Sequence, residues 1–202
     1  MWSGVVGVSR VLFRHYFPMT MSGRDLVPKG PIVVAANHFS HLDPVMVGLV
    51  LDRPIRYLAV DELFGNSRFF DSMTLWFGAI PMSRTHAPLG ALRLAIDELA
   101  VGGSVGLFPE GVRVWRWGEQ DTKRGAAWLA KRMDVPLLPV AIAGTDEAMG
   151  RGSGWVSRRP VHVEICEPIL PGDFADDQDP LGAMDSQWRD RIDAVLRPWY
   201  GF

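Results

Sequence analysis

Cysteine is almost missing: Cys166 is the only one among 202 residues. A single thiol excludes an internal disulfide and any zinc ribbon, and it points to a reducing, intracellular setting. Long apolar runs are missing as well. The uncharged stretch at the N-terminus ends at Arg10, far short of the roughly 20 residues that span a bilayer. No basic region precedes that stretch and no small-residue cleavage site follows it, so it is not signal-like. An excess of one charge is lacking too: a formal net charge of -2 gives no general pull toward nucleic acid. Repeats and long linkers are absent, and the length suits one domain.

What is present is ordinary in bulk. Hydrophobic residues make up 48% and charged residues 22%, as in a soluble globular fold. Eight tryptophans exceed the needs of a core this size. Tryptophan is favoured where one edge is apolar and the other wet, membrane surfaces included. In the N-terminal stretch MWSGVVGVSRVLFRHYFPMTM, Val5, Val8, Leu12 and Phe13 share one helical face, with Trp2, Tyr16 and Phe17 near its edges. Arg10 and Arg14 lie on another side. Residues 1–22 are therefore set apart as an amphipathic helix. It either packs on its own domain or lies in a lipid interface with its arginines on phosphates. Any membrane contact is expected to be peripheral.

Strand and helix signals alternate through residues 23–202. Strands are expected at 32–36, 55–60, 78–82, 104–109, 137–144 and 161–169. Helices are expected at 43–52, 88–102, 123–133 and about 185–198. The pattern predicts an α/β fold: a single-domain sandwich of a mostly buried mixed sheet flanked by helices. Three polar clusters follow directly on strands: NHFSHLD (37–43), SR (83–84) and PEGVR (109–113). In open α/β folds ligands sit beyond the carboxyl ends of strands, so the three clusters are candidates to line one pocket.

In the first cluster, Asp43-Pro44 reads as a helix start with Asp43 as N-cap. His38 precedes it on the entering turn, so the chain can fold back and bring the two side chains together. A carboxylate that holds an imidazole fixes its tautomer, turns the free nitrogen outward and stabilises the imidazolium that forms. A serine hydrolase would need a nucleophile for that nitrogen. GGSVG (102–106) matches Gly-x-Ser-x-Gly, but Ser104 sits between a helix and a strand, the reverse of a nucleophile elbow. Ser40 is only two residues from His38. Without a protein nucleophile, the attacking group is the substrate's own hydroxyl. A metal is not expected: His38, His41 and Asp43 miss the HExxH spacing, and no outlying Cys/His cluster completes a tetrahedron.

In the other clusters, Arg84 and Arg113 stand at separate strand ends with Glu110 and Gly111 between them in the sequence. Paired guanidiniums suit a phosphate. Lys123, with Arg124, is either a further anion contact or an exposed basic pair. Trp115 and Trp117, alternating with Arg113 and Arg116, either pack on the domain or rest at headgroup level.

The order of these blocks resembles the glycerolipid acyltransferases typified by 1-acylglycerol-3-phosphate acyltransferase. NHFSHLD is similar to that family's NHxxxxD block, GAIPMSR (78–84) to its second block, FPEGVR (108–113) to its FPEGTR block, and VPLLPVAIAG (135–144) to its last. The resemblance covers about residues 31–145. It implies a glycerol-3-phosphate acyltransferase-like fold and transfer of a fatty acyl chain to a lysophosphatidic-acid-like glycerolipid in phospholipid biosynthesis. The donor would be acyl-CoA or acyl carrier protein, as co-substrate and with no cofactor. By the same resemblance His38 is the base, Asp43 its partner, and Arg84, Glu110, Gly111 and Arg113 bind the phosphate-bearing acceptor. The implied setting is the cytoplasmic face of a membrane, peripherally bound. Ser83, Val112 and Val114 depart from the family pattern, standing where Asp, Thr and Ser are common. A non-catalytic lipid-binding protein on this scaffold is the alternative of a different class.

Overall fold

β-branched and small apolar residues set the centre of the molecule. Ile32–Ala36 (β2) and Leu137–Ala143 (β6) are buried at every position, as central strands covered on both faces must be. The computed structural model describes residues 11, 13, 15–60, 80–82 and 89–201. Beside β2 and β6 lie Met19–Ser22 (β1), Arg56–Val60 (β3), Ile80–Met82 (β4), Ser104–Leu107 (β5) and Val161–Ile165 (β7). The sheet order is β1-β7-β6-β2-β5-β3-β4. From β6 to β4 all strands are parallel; β7 runs antiparallel to β6, and β1 lies parallel to β7. The mixed sheet matches the expected α/β sandwich.

Alternation along the strands divides the core in two. Val33, Ala35, Leu137, Ala141 and Ala143 face Leu89–Ala100 (α2), Gly125–Met133 (α3) and Pro180–Tyr200 (α5). Ile32, Val34, Ala36, Leu138, Val140 and Ile142 face Asp43–Leu51 (α1) and the apolar side of β7. α1 is apolar almost all round and nearly wholly buried, as a helix sealed against a sheet should be. On the other face, Trp188 of α5 donates its indole N–H to Ala35 O at 2.9 Å. That bond pins the end of β2 just before the NHFSHLD turn.

Several boundaries differ from expectation. Residues 19–22, counted above with the amphipathic helix, form β1. Residues 13, 15 and 16 are helical, but Pro18 ends that run, having no amide to continue it. Residues 1–10 lie outside the described residues. Asp43 is the first residue of α1 and Leu42 its cap, and no side chain caps the helix; the carboxylate turns back toward the preceding loop instead. α5 begins at Pro180, where the Asp179 side chain accepts from Gly182 N at 3.1 Å. A five-residue helix, Thr145–Met149 (α4), follows β6, in a stretch to which the sequence pattern assigned no element.

Candidate active site

Three parallel strands, β6, β2 and β5, deliver the site at their carboxyl ends. Asn37 leaves β2 buried and continues the ladder with its side chain, donating to Ile142 O and accepting from Ile142 N, both at 2.8 Å. The next residue is thereby fixed in direction. His38 Nδ1 meets Asp43 Oδ2 at 2.9 Å. The same Oδ2 accepts from the amides of Phe39 and Ser40, each at 2.7 Å. Asp43 Oδ1 accepts from the Thr145 hydroxyl at 2.6 Å. Asp43 is fully buried, and all four bonds run toward it, so it acts purely as an acceptor. With Asp43 accepting, Nδ1 carries the hydrogen and Nε2 presents its lone pair. Nε2 has no hydrogen-bond partner among the described residues, and the His38 side chain is 14% exposed.

The ring is also held by its face. His38 stacks on Phe108, with centroids 4.0 Å apart and planes 17° from parallel. Phe108 in turn lies flat against Tyr57, at 5.7 Å and 9°. Tyr57 is pinned by donating to Pro44 O at 3.0 Å. The stack needs Gly106, paired with Tyr57 across β5 and β3. A β-carbon there would sit 2.5 Å from Tyr57 Cε1.

Glu110 follows β5 and is 2% exposed. Its Oε1 accepts from the backbone N–H of His38 at 3.1 Å, while Oε2 is buried without a hydrogen-bond partner among the described residues. Burial pushes this carboxyl up to about 7; amide hydrogen bonds oppose the rise and the charge of Asp43 adds to it. Glu110 is thus turned toward the His38 backbone. Val114 donates its amide to His38 O at 2.9 Å, so the PEGVR block and the residue after it grip His38 on both sides. Gly111, at φ 70, makes the turn between them, a conformation that favours glycine.

The basic residues are more dispersed. Arg113 is half-buried; burial and neighbouring Arg151 hold its pKa down, with Asp43 opposing. His41 is pushed down to about 4 by burial, then by the charges of Arg113 and His38, so His41 is a neutral lining group at ordinary pH. Lys123 is exposed, its amide bonded to Pro109 O at 2.8 Å. A β-carbon on Gly111 would meet its Nζ at 2.9 Å, which places that ammonium beside the PEG turn. Arg84 lies outside the described residues, and so does Ser83. Among the described residues, no group of three or more His, Cys, Asp or Glu could hold a metal ion.

Among the described residues, possible protein nucleophiles are engaged or remote. Ser40 Oγ donates to Met149 O at 2.5 Å and accepts from Leu42 N. Ser104 begins β5, at the opposite end of the sheet from His38. Burial raises the Cys166 thiol to about 12, far from thiolate reactivity. Thr145 escaped the sequence reading. Its signal was the rule that exposed the others, a polar residue directly past the end of a central strand.

A family model described as Acyltransferase matches residues 18–143, more than half of the chain. The chain belongs to the acyltransferase family. It is 27% identical over 159 residues to the chloroplastic 1-acyl-sn-glycerol-3-phosphate acyltransferase BAT2 of Brassica napus, covering 76% of this chain and 46% of that protein. With a 1-acyl-sn-glycerol-3-phosphate acyltransferase of Chlamydomonas reinhardtii it shares 30% identity over 167 residues, 81% of this chain and 50% of that one. The chain spans about half the length of these curated relatives. The crystal structure of the 1-acyl-sn-glycerophosphate (LPA) acyltransferase PlsC from Thermotoga maritima shares the fold. The TM-score is 0.74 at 22% identity, over 96% of this chain and 78% of that one. Two of the departures from the family blocks have a place in this architecture. Val114 is buried in the core and Val112 packs against it.

Proposed function

We propose that the chain transfers a fatty acyl group from an acyl thioester, acyl-CoA or acyl carrier protein, to the hydroxyl of a lysophosphatidic-acid-like acceptor. One observation carries this reading: among the described residues His38 presents a partnerless Nε2 while its Nδ1 holds a buried carboxylate, and the hydroxyl of neighbouring Ser40 is already engaged. A base so placed serves an alcohol that comes with the substrate. Nε2 takes the hydroxyl proton as the oxygen attacks the thioester carbonyl. The C–O bond forms, the C–S bond breaks, and the thiolate leaves and recovers the proton from the imidazolium. Asp43 stabilises that imidazolium and holds the tautomer. No acyl-enzyme is formed.

The acceptor class rests on the relatives, which carry the name 1-acyl-sn-glycerol-3-phosphate acyltransferase, and on two basic groups beside the site, Arg113 and Lys123, that form no salt bridge among the described residues. Arg113, with Lys123 and Arg84, is assigned to the acceptor phosphate. Glu110 and Gly111 belong to the same block, and Glu110 acts through the His38 backbone. Such an acceptor resides in a bilayer, so the reading includes peripheral attachment to the cytoplasmic face of a membrane. Among the described residues no helix is long and apolar enough to cross one.

The test is incubation of the purified chain with each thioester donor and a panel of lyso-acceptors, with products identified by mass. His38→Ala is expected to lose about 10²–10⁴-fold in kcat, the usual share of a general base, with an unchanged circular dichroism spectrum. Wild-type turnover by that variant, or an acylated serine trapped in the wild type, refutes direct attack.

A further inference from the structure

We infer that the loop 151–160, together with Trp115, is a docking surface for a lipid bilayer bearing anionic headgroups. The inference rests on the reading of the site as a lipid acyltransferase, which needs such a surface next to His38. All ten loop residues are exposed, and three of them, Arg151, Arg158 and Arg159, are cationic with no acid among them. Trp155 is 86% exposed. Ser153 Oγ donates to Trp155 O at 2.8 Å and accepts from Trp155 N at 3.3 Å, a local turn that holds the indole outward. Val156 follows Trp155, also exposed, and Trp115, 58% exposed, meets the start of the loop, with the Arg151 guanidinium 5.6 Å from the Trp115 ring centroid.

The loop is anchored rather than loose. Ser157 N donates to Ala148 O at 2.7 Å, and Arg158 Nε donates to Tyr16 O at 2.8 Å. Its root lies at the site: Gly150 bridges Ser40, and Thr145, at the head of the preceding helix, holds Asp43. An exposed set of indole, valine and arginine side chains fits a bilayer boundary, where tryptophan settles with one edge apolar and one wet. Each arginine near an anionic leaflet adds about fivefold to partitioning. An acidic protein surface would call on the arginines alone and would leave Trp155 without a use.

The test uses the full chain, with and without the double substitution Trp155→Ser and Arg159→Gln, neither of which touches His38 or Asp43. Cosedimentation is measured with vesicles of phosphatidylcholine alone and with added phosphatidylglycerol. The wild type is expected to partition onto the anionic vesicles, and the double variant about tenfold less, with unchanged melting. Transfer to a lyso-acceptor embedded in vesicles falls in parallel, while transfer to a short-chain acceptor dissolved in water is preserved. Equal partitioning of variant and wild type overturns the inference, as does equal wild-type binding to neutral and anionic vesicles. Retained vesicle binding with loss of transfer from carrier-protein donors alone also overturns it, and gives the loop to an acidic protein. If the wild type acylates neither acceptor, the functional reading fails, and the vesicle partition still decides the surface.

Discussion

Asp43 takes four hydrogen bonds and donates none, and that asymmetry sets what its neighbours can do. The Thr145 hydroxyl is the only one of its four partners that comes from outside the NHFSHLD turn. A hydrogen bond to a charged group is worth about 1.5–3 kcal/mol. Thr145→Val should therefore lower unfolding free energy by that order, and reduce kcat while leaving KM for both substrates near the wild-type value. Denaturant titration and steady-state kinetics check the two halves separately. A shifted KM with constant kcat would instead place Thr145 against a substrate.

Glu110 and His41 pull pH stability in opposite directions. An acid whose folded pKa lies above its ordinary value binds its proton more tightly when folded. Ionising Glu110 between about 4.5 and about 7 therefore lowers stability as pH rises. A base held down does the reverse. As pH falls from about 6.5 to about 4, the unfolded chain takes up a proton that folded His41 resists, and stability is lost. Glu110→Gln keeps an acceptor oxygen for the His38 amide and removes the ionisation. Its stability relative to wild type should rise from about pH 4.5 to about pH 7, and the variant should lose stability more steeply on acidification. A difference that does not change with pH would show that the carboxyl is not raised. At this scale the sequence carried the His38–Asp43 pair, because five residues of chain suffice to build it. Thr145 was hidden, since it reaches Asp43 from 102 positions away. The inward aim of Glu110 was hidden as well, because a turn residue's facing is decided by the strand next door.

Among the elements, the strands with continuous apolar character were legible: β2, β5 and β6 lie where Val, Ile and Leu runs are bounded by Gly, Pro and Asn. β1 was not. Its four residues, MTMS, alternate too weakly to stand out from the helical pattern before them, and their pairing depends on β7. α4 has only five residues and no periodicity to detect. The start of α5 was masked by an acidic stretch whose last member, Asp179, is its cap. A strand also shapes the site through Gly106, whose missing side chain gives Tyr57 room to support Phe108 and hence the His38 ring. Gly106→Ala should cost about 1–3 kcal/mol, as overpacking does, and lower kcat. Adding Tyr57→Leu should recover part of the stability but not the turnover, a coupling that a double-mutant cycle measures. Additive losses would mean that the ring does not respond to the β-carbon.

Over the whole molecule, the layer arrangement was readable from alternating strands and helices, but the strand order was not, since no local pattern records which strands are neighbours. Nor did the net charge describe its distribution. The total is -2, yet the exposed loop 151–160 is purely basic and residues 173–179 hold four aspartates. Attraction to an anionic bilayer is then a local effect, open to screening. Raising salt from about 0.1 M to about 1 M shortens the Debye length from about 10 Å to about 3 Å. Vesicle association should weaken strongly over that range while the melting temperature changes little, because the core is apolar. Salt-independent association would assign the contact to apolar insertion instead.

The edge of the sheet has a consequence for biogenesis. Among the described residues β1 pairs with β7 alone, a strand made much later in synthesis, with Thr20 and His162 in register 142 positions apart. β1 must wait, unpaired, until the residues of β7 have been synthesised. Closing so long a loop is a late and slow event. The nascent chain should therefore assemble its central strands first and close this edge last, and a chain cut short before residue 161 would leave β1 without the strand it pairs with.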